Sequence, residues 1–388
     1  MRPVANPPNP FVAEYREWFE APPNAELHVY EEHARSILNE NDSPDLPFRW
    51  SLNVYRGCQH ACAYCYARPT HEYLGLGAGT DFDTRITVKV NAPELLRKAL
   101  AAPRWKREPI AMSGVTDCYQ PLEAVYQLTR RCLEVCLEFE NPVGIVTKSF
   151  LVVRDAELLA ELARRAKTRV YFSIAFADDA RARLIEPGAP PPSRRFEALR
   201  RLHAAGVSVG VIVAPLIPGL NDREIPAVLE RAAECGARTA AYTALRLPGS
   251  VGAVFLTRMG EALPDAAKRV ESRIRDMRGG ELTDARFGRR MTGSGAYWES
   301  IERLFITSAA RLGLAGRGAC RDTADRSGES EPAGQANVAR RRSDWLESDG
   351  LRLAGSTNDA KPSRERRSKP LPAATQPGLF DAIDERGV

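Results

Sequence analysis

Three cysteines stand at i, i+4 and i+7 in the run Gly57-Cys58-Gln59-His60-Ala61-Cys62-Ala63-Tyr64-Cys65-Tyr66. Thiols this close in sequence converge on one soft metal centre only if the loop wraps around it, and Gly57 and Ala61 keep that loop slim. A structural zinc ion takes four protein ligands, usually as two separated pairs. Three cysteines therefore leave zinc one ligand short unless His60 or His71 supplies it. An iron–sulfur cluster also usually takes four cysteines, so three leave one iron open for something else. Of the remaining cysteines, Cys118 follows Asp117 directly, while Cys132 and Cys136 share one helix face. Burial as small apolar residues explains that pair, with a second cluster including Cys118 as the sharper alternative. Cys235 and Cys320 carry no motif.

The elements that must position this loop are legible as alternating patterns. Strands are expected at Trp50–Val54, Ile110–Val115, Val143–Thr147, Val170–Phe176, Val207–Ala214 and Thr239–Ala244. Amphipathic helices are expected at Ala92–Ala101, Leu122–Phe139, Ala156–Ala166, Ser193–Ala205 and Ile225–Cys235. Strand and helix alternating in this way form parallel βαβ units, which fit an α/β barrel or an open sheet. Residues 1–45 are an acidic segment with a short helical stretch near Tyr30–Asn39. Residues 46–250 form the core, 251–315 a helical extension ending in an apolar-aromatic stretch, and 316–388 a polar tail expected to be disordered.

Composition narrows the class. The 388 residues are 44% hydrophobic and 27% charged, as in a soluble globular protein. The most apolar run, Val207–Leu220, is broken by Ser208, Pro215 and Pro218 and falls short of a membrane span. The opening residues hold no signal-like apolar region, and eight cysteines are too few for a disulfide framework, so the reducing cytoplasm is expected. Residues 1–50 carry four arginines against nine acids, which puts +10 of balancing charge on the rest of a chain whose net charge is +5. Only eight of the 55 basic residues are lysines. That excess of arginine suits phosphate binding, and equally a GC-rich genome.

CxxxCxxC with an aromatic residue before the last cysteine resembles the signature of radical S-adenosylmethionine (radical SAM) enzymes. Asn53-Val54-Tyr55-Arg56-Gly57-Cys58, the run from Tyr64 to His71, and the run from Thr116 to Glu123 resemble the branch related to spore photoproduct lyase, often labelled DNA-repair-photolyase-like. Members usually carry Glu and Gly where this chain has Gln59 and Ala61. The resemblance covers about residues 36–315 and implies an incomplete (β/α)6 barrel of the partial TIM-barrel type. It implies a [4Fe–4S] cluster on Cys58, Cys62 and Cys65, whose open iron binds S-adenosylmethionine, with reductive cleavage to a 5′-deoxyadenosyl radical.

Around the cofactor the resemblance implies Tyr64 near the adenine, with Thr116 and Asp117 at the methionine end. Lys148 and Ser173 reach the ribose or carboxylate, and Glu186 with Arg194 or Arg195 follows the fourth strand. Asp117 serves equally as a helix N-cap. Cys118 is expected as a hydrogen donor to a product radical. Tyr242 and Arg246 fall where a substrate would enter. The implied activity is lyase-type, on nucleic acid, with an external electron donor of the flavodoxin or ferredoxin type. Alternatives are a radical enzyme acting on a small molecule or protein, and a non-catalytic metal-binding interaction protein. Gln376–Phe380 resembles the short peptide by which DNA-maintenance proteins dock on the replication sliding clamp.

Overall fold

The computed structural model describes residues 9–11 and 26–317. The tail from 318 onward, with the expected clamp-docking peptide Gln376–Phe380 and Cys320, lies outside the described residues. Two sheets carry the fold. A small one takes β1 (His28–Glu32), β4 (Tyr55–Arg56) and β5 (Arg85–Lys89) in the order β1-β5-β4. The large one adds β2 (Leu38–Glu40), β3 (Trp50–Leu52), β6 (Ile110–Met112), β7 (Val143–Thr147), β8 (Thr168–Ser173), β9 (Ser208–Leu216), β10 (Thr239–Ala244) and β11 (Ala315–Arg317). Its order is β11-β10-β9-β8-β7-β6-β3-β2.

From β3 to β10 the neighbours are parallel and follow chain order. This is the expected six-stranded α/β partial barrel, and among the described residues no ladder joins β3 to β10, so it stays open. Two strands of this sheet were not foreseen: β2 pairs antiparallel with β3, and β11 adds a seventh parallel strand beyond β10. The interior strands are buried almost throughout, as Val-Gly-Ile-Val-Thr in β7 illustrates, because helices cover parallel sheets on their outer face.

The helices are α1 (Thr80–Thr84), α2 (Ala92–Leu100), α3 (Glu123–Tyr126), α4 (Leu128–Glu138), α5 (Ala156–Arg165), α6 (Asp179–Ile185), α7 (Pro192–Ala204) and α8 (Ile225–Glu234). Beyond the barrel come α9 (Val251–Ala262), α10 (Pro264–Met277) and α11 (Ala296–Arg311). The last three bear out the expected helical extension. Helix α11 buries Trp298, Ile301, Phe305 and Ala309 at helical spacing. Helix α7 starts on a proline at its first turn and ends before Gly206, whose φ of +85° closes it.

Two expectations need correction. The expected helix near Tyr30–Asn39 is replaced by β1 and β2, because β1 lies in register with β5, His28 opposite Arg85 through Glu32 opposite Lys89. A backbone ladder of that length outweighs the weak helix propensity of the segment. The single helix expected over Leu122–Phe139 is split at Gln127, whose φ of +51° no α-helix accommodates. No helix of the described residues is long and apolar enough to cross a membrane.

Candidate active site

The cysteine run lies past β3, on the side of the sheet where the parallel strands end. Gly57 (φ +80°) turns the chain, and a Cβ there would meet Ile86, the Phe82 carbonyl and His71 at 3.0 Å or less. Only glycine fits. Ala61 is also left-handed, at φ +53°, which explains why the related pattern prefers glycine at this position. A loop bent this way buries carbonyls that need donors. The Gly57 carbonyl accepts from Thr116 Oγ1 at 2.6 Å and from Gln120 Nε2 at 3.3 Å. That of Cys62 accepts from Arg68 Nη2 at 2.8 Å, and that of Ala61 from Arg258 Nη1 at 2.6 Å. Asp83, 2% exposed at its side chain, pairs with both arginines.

The loop is also docked onto the chain that follows β8. Ala63 N donates to the Ile185 carbonyl at 2.9 Å and Gly188 N to the His60 carbonyl at 3.0 Å. Beneath this seam Glu186 is wholly buried, pairing with Arg195 and accepting from the Tyr64 hydroxyl. Burial alone would raise the Glu186 carboxyl, but Arg195 and Lys148 outweigh it and hold it below the ordinary range. Arg195 also donates to the Ser173 carbonyl at 3.0 Å and to that of Pro190 at 2.7 Å. Lys148 Nζ donates to Ser173 Oγ at 3.0 Å and lies 5.7 Å from the Tyr64 ring centroid.

Asp117 gathers the next two loops. It accepts from Thr147 Oγ1 (2.7 Å), Lys148 N (2.8 Å) and Tyr119 N (2.9 Å), and stands 3.3 Å from His60 Nδ1. Burial would raise its carboxyl, yet His60 and these donors bring it down to about 2. The bond from Tyr119 N closes a turn and caps no helix, since α3 begins at Glu123 with Leu122 as its N-cap, which corrects the capping expectation; the other bonds make Asp117 a strut between the loops after β6 and β7. A cavity of about 480 Å³ opens beside His60, lined also by Tyr119, Ser149, Leu151 and the stretch Pro187–Pro190.

Tyr64, Thr116, Asp117, Lys148, Ser173, Glu186 and Arg195 are thus brought together around the loop of Cys58, Cys62 and Cys65. Cys118, next to Asp117, is 1% exposed in the same core that holds Cys62 and Tyr64, its amide held by Ser113 and its carbonyl by Thr129. Cys132 and Cys136 are also fully buried in that core. Sequence reasoning missed Arg68, Asp83 and Arg258, which touch the loop's backbone; no local spacing signals them, since Arg258 arrives from 197 residues away. It missed Gln59 and Gln120 as well, which clasp each other's loop by side chain to backbone at 3.0 Å.

The radical SAM superfamily model matches residues 52–232. An uncharacterised Mycobacterium tuberculosis protein is 39% identical over 238 residues, 61% of this chain and 70% of that protein. The chain belongs to the radical SAM superfamily. An uncharacterised Methanocaldococcus jannaschii protein is 30% identical, covering 52% of this chain and 72% of its own length. Among solved structures, spore photoproduct lyase complexed with dinucleoside spore photoproduct superposes with a TM-score of 0.55 at 17% identity, over 78% of this chain and 87% of that one. This is a likeness of fold. A variant of that lyase solved with bound S-adenosylmethionine gives a TM-score of 0.52 at 18% identity, over 76% of this chain and 82% of the other.

Radical SAM proteins use a [4Fe–4S] cluster and S-adenosylmethionine. The three cysteines supply thiols of the right type, although among the described residues no group of three or more His, Cys, Asp or Glu side chains is gathered closely enough to hold a metal ion. None of the three thiols is in a disulfide. Burial raises all three thiol pKa values, Cys62 to about 12. Such groups become thiolates when a bound metal centre compensates their charge. Of the histidines weighed as zinc ligands, His60 pairs through Nδ1 with Asp117, while His71 bonds the Arg85 carbonyl through Nε2 at 2.9 Å and keeps a buried Nδ1 without a hydrogen-bond partner among the described residues.

Proposed function

We propose that this chain is a radical enzyme acting on nucleic acid, with lyase-type repair or modification chemistry, and that Cys58, Cys62 and Cys65 hold its cluster. When bound, the cluster supplies the electron that splits S-adenosylmethionine into methionine and a 5′-deoxyadenosyl radical. The observation that carries the reading is the immobilised cysteine loop: three thiols, those of Cys58 and Cys62 buried and that of Cys65 half-buried, on a backbone whose carbonyls are fixed by Thr116, Gln120, Arg68 and Arg258. A loop held in this way cannot readily recruit a fourth ligand of its own, which leaves room for a cofactor.

The remaining residues orient that cofactor. Thr116 sets the position of Cys58 through the Gly57 carbonyl, and Asp117 fixes the strand-end loops that face the methionine portion. Lys148 and Ser173 present an ammonium and a hydroxyl to the carboxylate and ribose. The Glu186–Arg195 pair with Tyr64 closes the floor and keeps water from the reacting atoms. An external one-electron donor of the flavodoxin or ferredoxin type is required. Nucleic acid as substrate is supported by the fold it shares with an enzyme solved with a dinucleoside photoproduct and by the +10 charge beyond residue 50.

The test is anaerobic reconstitution, dithionite and S-adenosylmethionine, with 5′-deoxyadenosine measured with and without ultraviolet-irradiated DNA. Formation that rises with the DNA is expected. With four irons bound and no 5′-deoxyadenosine under any condition, the enzyme reading fails. Formation indifferent to DNA or RNA removes nucleic acid as the substrate.

A further inference from the structure

The open side of the barrel, between β3 and β10, is bridged by the segment 284–292 rather than by a ladder. Asp45, ahead of β3, accepts from Gly288 N at 2.7 Å and pairs with Arg290. The buried Arg278 donates to the carbonyls of Arg289 (2.9 Å), Arg290 (3.2 Å) and Leu245 (2.9 Å). Met291 accepts through its carbonyl from Ala244 N at 3.0 Å. The segment is therefore fastened at the carboxyl end of β10, where a parallel-stranded barrel places its chemistry.

What this fastening presents is unusual. Tyr66, the residue after Cys65, anchors its hydroxyl on the Gly114 carbonyl at 2.6 Å yet leaves 48% of the residue exposed. The Arg246 guanidinium lies 5.4 Å from the Tyr66 ring centroid and, among the described residues, has no carboxylate partner; its other polar contact is Met291 Sδ at 3.4 Å. Phe287 is 60% exposed with Arg290 4.6 Å above its ring, and Arg289 is 56% exposed. Asp284 and Asp45 are the two carboxylates set against Arg246, Arg278, Arg286, Arg289 and Arg290. Five guanidinium groups against two carboxylates leave an excess of positive charge beside two open aromatic faces.

We propose that Tyr66, Arg246, Phe287 and Arg289 form the subsite that seats a single strand of DNA at the barrel mouth, with bases stacked on the two rings and phosphates on the two arginines. Rings that accept any base and guanidinium groups that accept phosphate bidentately are the pairing such a strand requires. A peptide or small acid would use the charge but leave both rings bare. The placement puts one stacked base next to the residue that follows a cluster ligand. The proposal rests on the nucleic-acid reading above and adds where the strand lies.

The test uses the full chain, reconstituted, and a short single-stranded oligodeoxynucleotide containing 2-aminopurine, whose fluorescence is quenched on stacking. Arg246→Ala is expected to weaken binding about tenfold and to lower the log–log salt slope by about 1. Phe287→Ala is expected to lose about tenfold in affinity together with part of the quench. Arg97→Ala, which breaks a distant surface pair with Glu138, serves as the control and should bind as the parent. Should Arg246→Ala fail to fold, the exposed Arg289→Ala carries the same expectation on the salt slope. Parent-like affinity and quench in both arginine variants and Phe287→Ala would overturn the proposal. So would binding without quench, or polyglutamate competing as well as DNA. Because binding and quench are read without turnover, their failure is separate from absence of 5′-deoxyadenosine, which tests the enzyme reading.

Discussion

Removing Arg258 should loosen the cysteine loop without touching a cysteine. Its guanidinium reaches from α9 to the Ala61 carbonyl and to Asp83, with 11% of its side chain exposed. Deleting one member of a buried charged network costs about 3–5 kcal/mol. Arg68 stays paired with Asp83 at 2.8 Å, so the lower end applies, about 3 kcal/mol. At about 1.6 °C per kcal/mol for a domain spanning residues 26–317, Arg258→Ala should lower the Tm by about 5 °C. The effect extends to the cluster. Ala61 holds a left-handed conformation that costs an alanine about 1–2 kcal/mol, and Arg258 fixes the carbonyl of that residue. Freed from it, the loop should relax, so iron and acid-labile sulfide per chain after reconstitution should fall with the Tm. Arg258→Lys should recover only part of the loss, since a single ammonium serves one of the two acceptors well and not both. The assays are differential scanning fluorimetry of the unreconstituted chain and iron and sulfide analysis after reconstitution. A Tm within about 1 °C of the parent together with full iron content would refute the reasoning.

Alanine at Cys58, Cys62 or Cys65 should abolish the charge-transfer absorbance of the reconstituted cluster, whereas alanine at Cys132 or Cys136 should leave it intact at some cost in Tm. Gly188→Ala would place a Cβ 2.1 Å from the Gln59 carbonyl oxygen; forcing the two loops apart should cost about 1–3 kcal/mol in urea unfolding and reduce iron loading, and full loading would show that the seam yields. Since Cys118 sits in the core, Cys118→Ala should lower stability by about 1 kcal/mol and leave the product distribution unchanged. A shifted distribution would identify that thiol as a hydrogen donor.

The parallel strands and their covering helices were legible because each is a local pattern. Val143–Thr147 and Thr239–Ala244 coincide with the observed strands residue for residue, and Ala156 and Ile225 start helices where expected. The cysteine loop was legible for the same reason: its donors fall within eight residues. Strand β5 was not anticipated although Arg85-Ile86-Thr87-Val88-Lys89 alternates as strands do, with Ile86 and Val88 buried. Its partner β1 was misread because His28–Glu32 is exposed along nearly its whole length and has no hydrophobic period to show. What could not be read is the second set of contacts on the loop. Arg68, Arg258 and Gln120 act through backbone carbonyls and amides, which leave no trace in a pattern of side chains.

These contacts bear on what counts as the core. The buried carbonyls of Gly57, Ala61 and Cys62 each demand a donor, and the chain supplies them from three places: the β6 loop through Thr116 and Gln120, the cysteine loop's own continuation through Arg68, and α9 through Arg258. The matched family region ends at residue 232, and composition alone suggests a division at 250. Neither boundary is an energetic one, because Arg258 lies beyond both and yet satisfies the residue with the strained backbone. The same holds at the barrel mouth, where Arg278 fixes 289–292 and Leu245 together. An open barrel lacks the closing ladder that would hold its first and sixth strands in register. In this chain the helices and segment that follow β10 take over that task, and so the extension positions the chemistry as directly as the strands do.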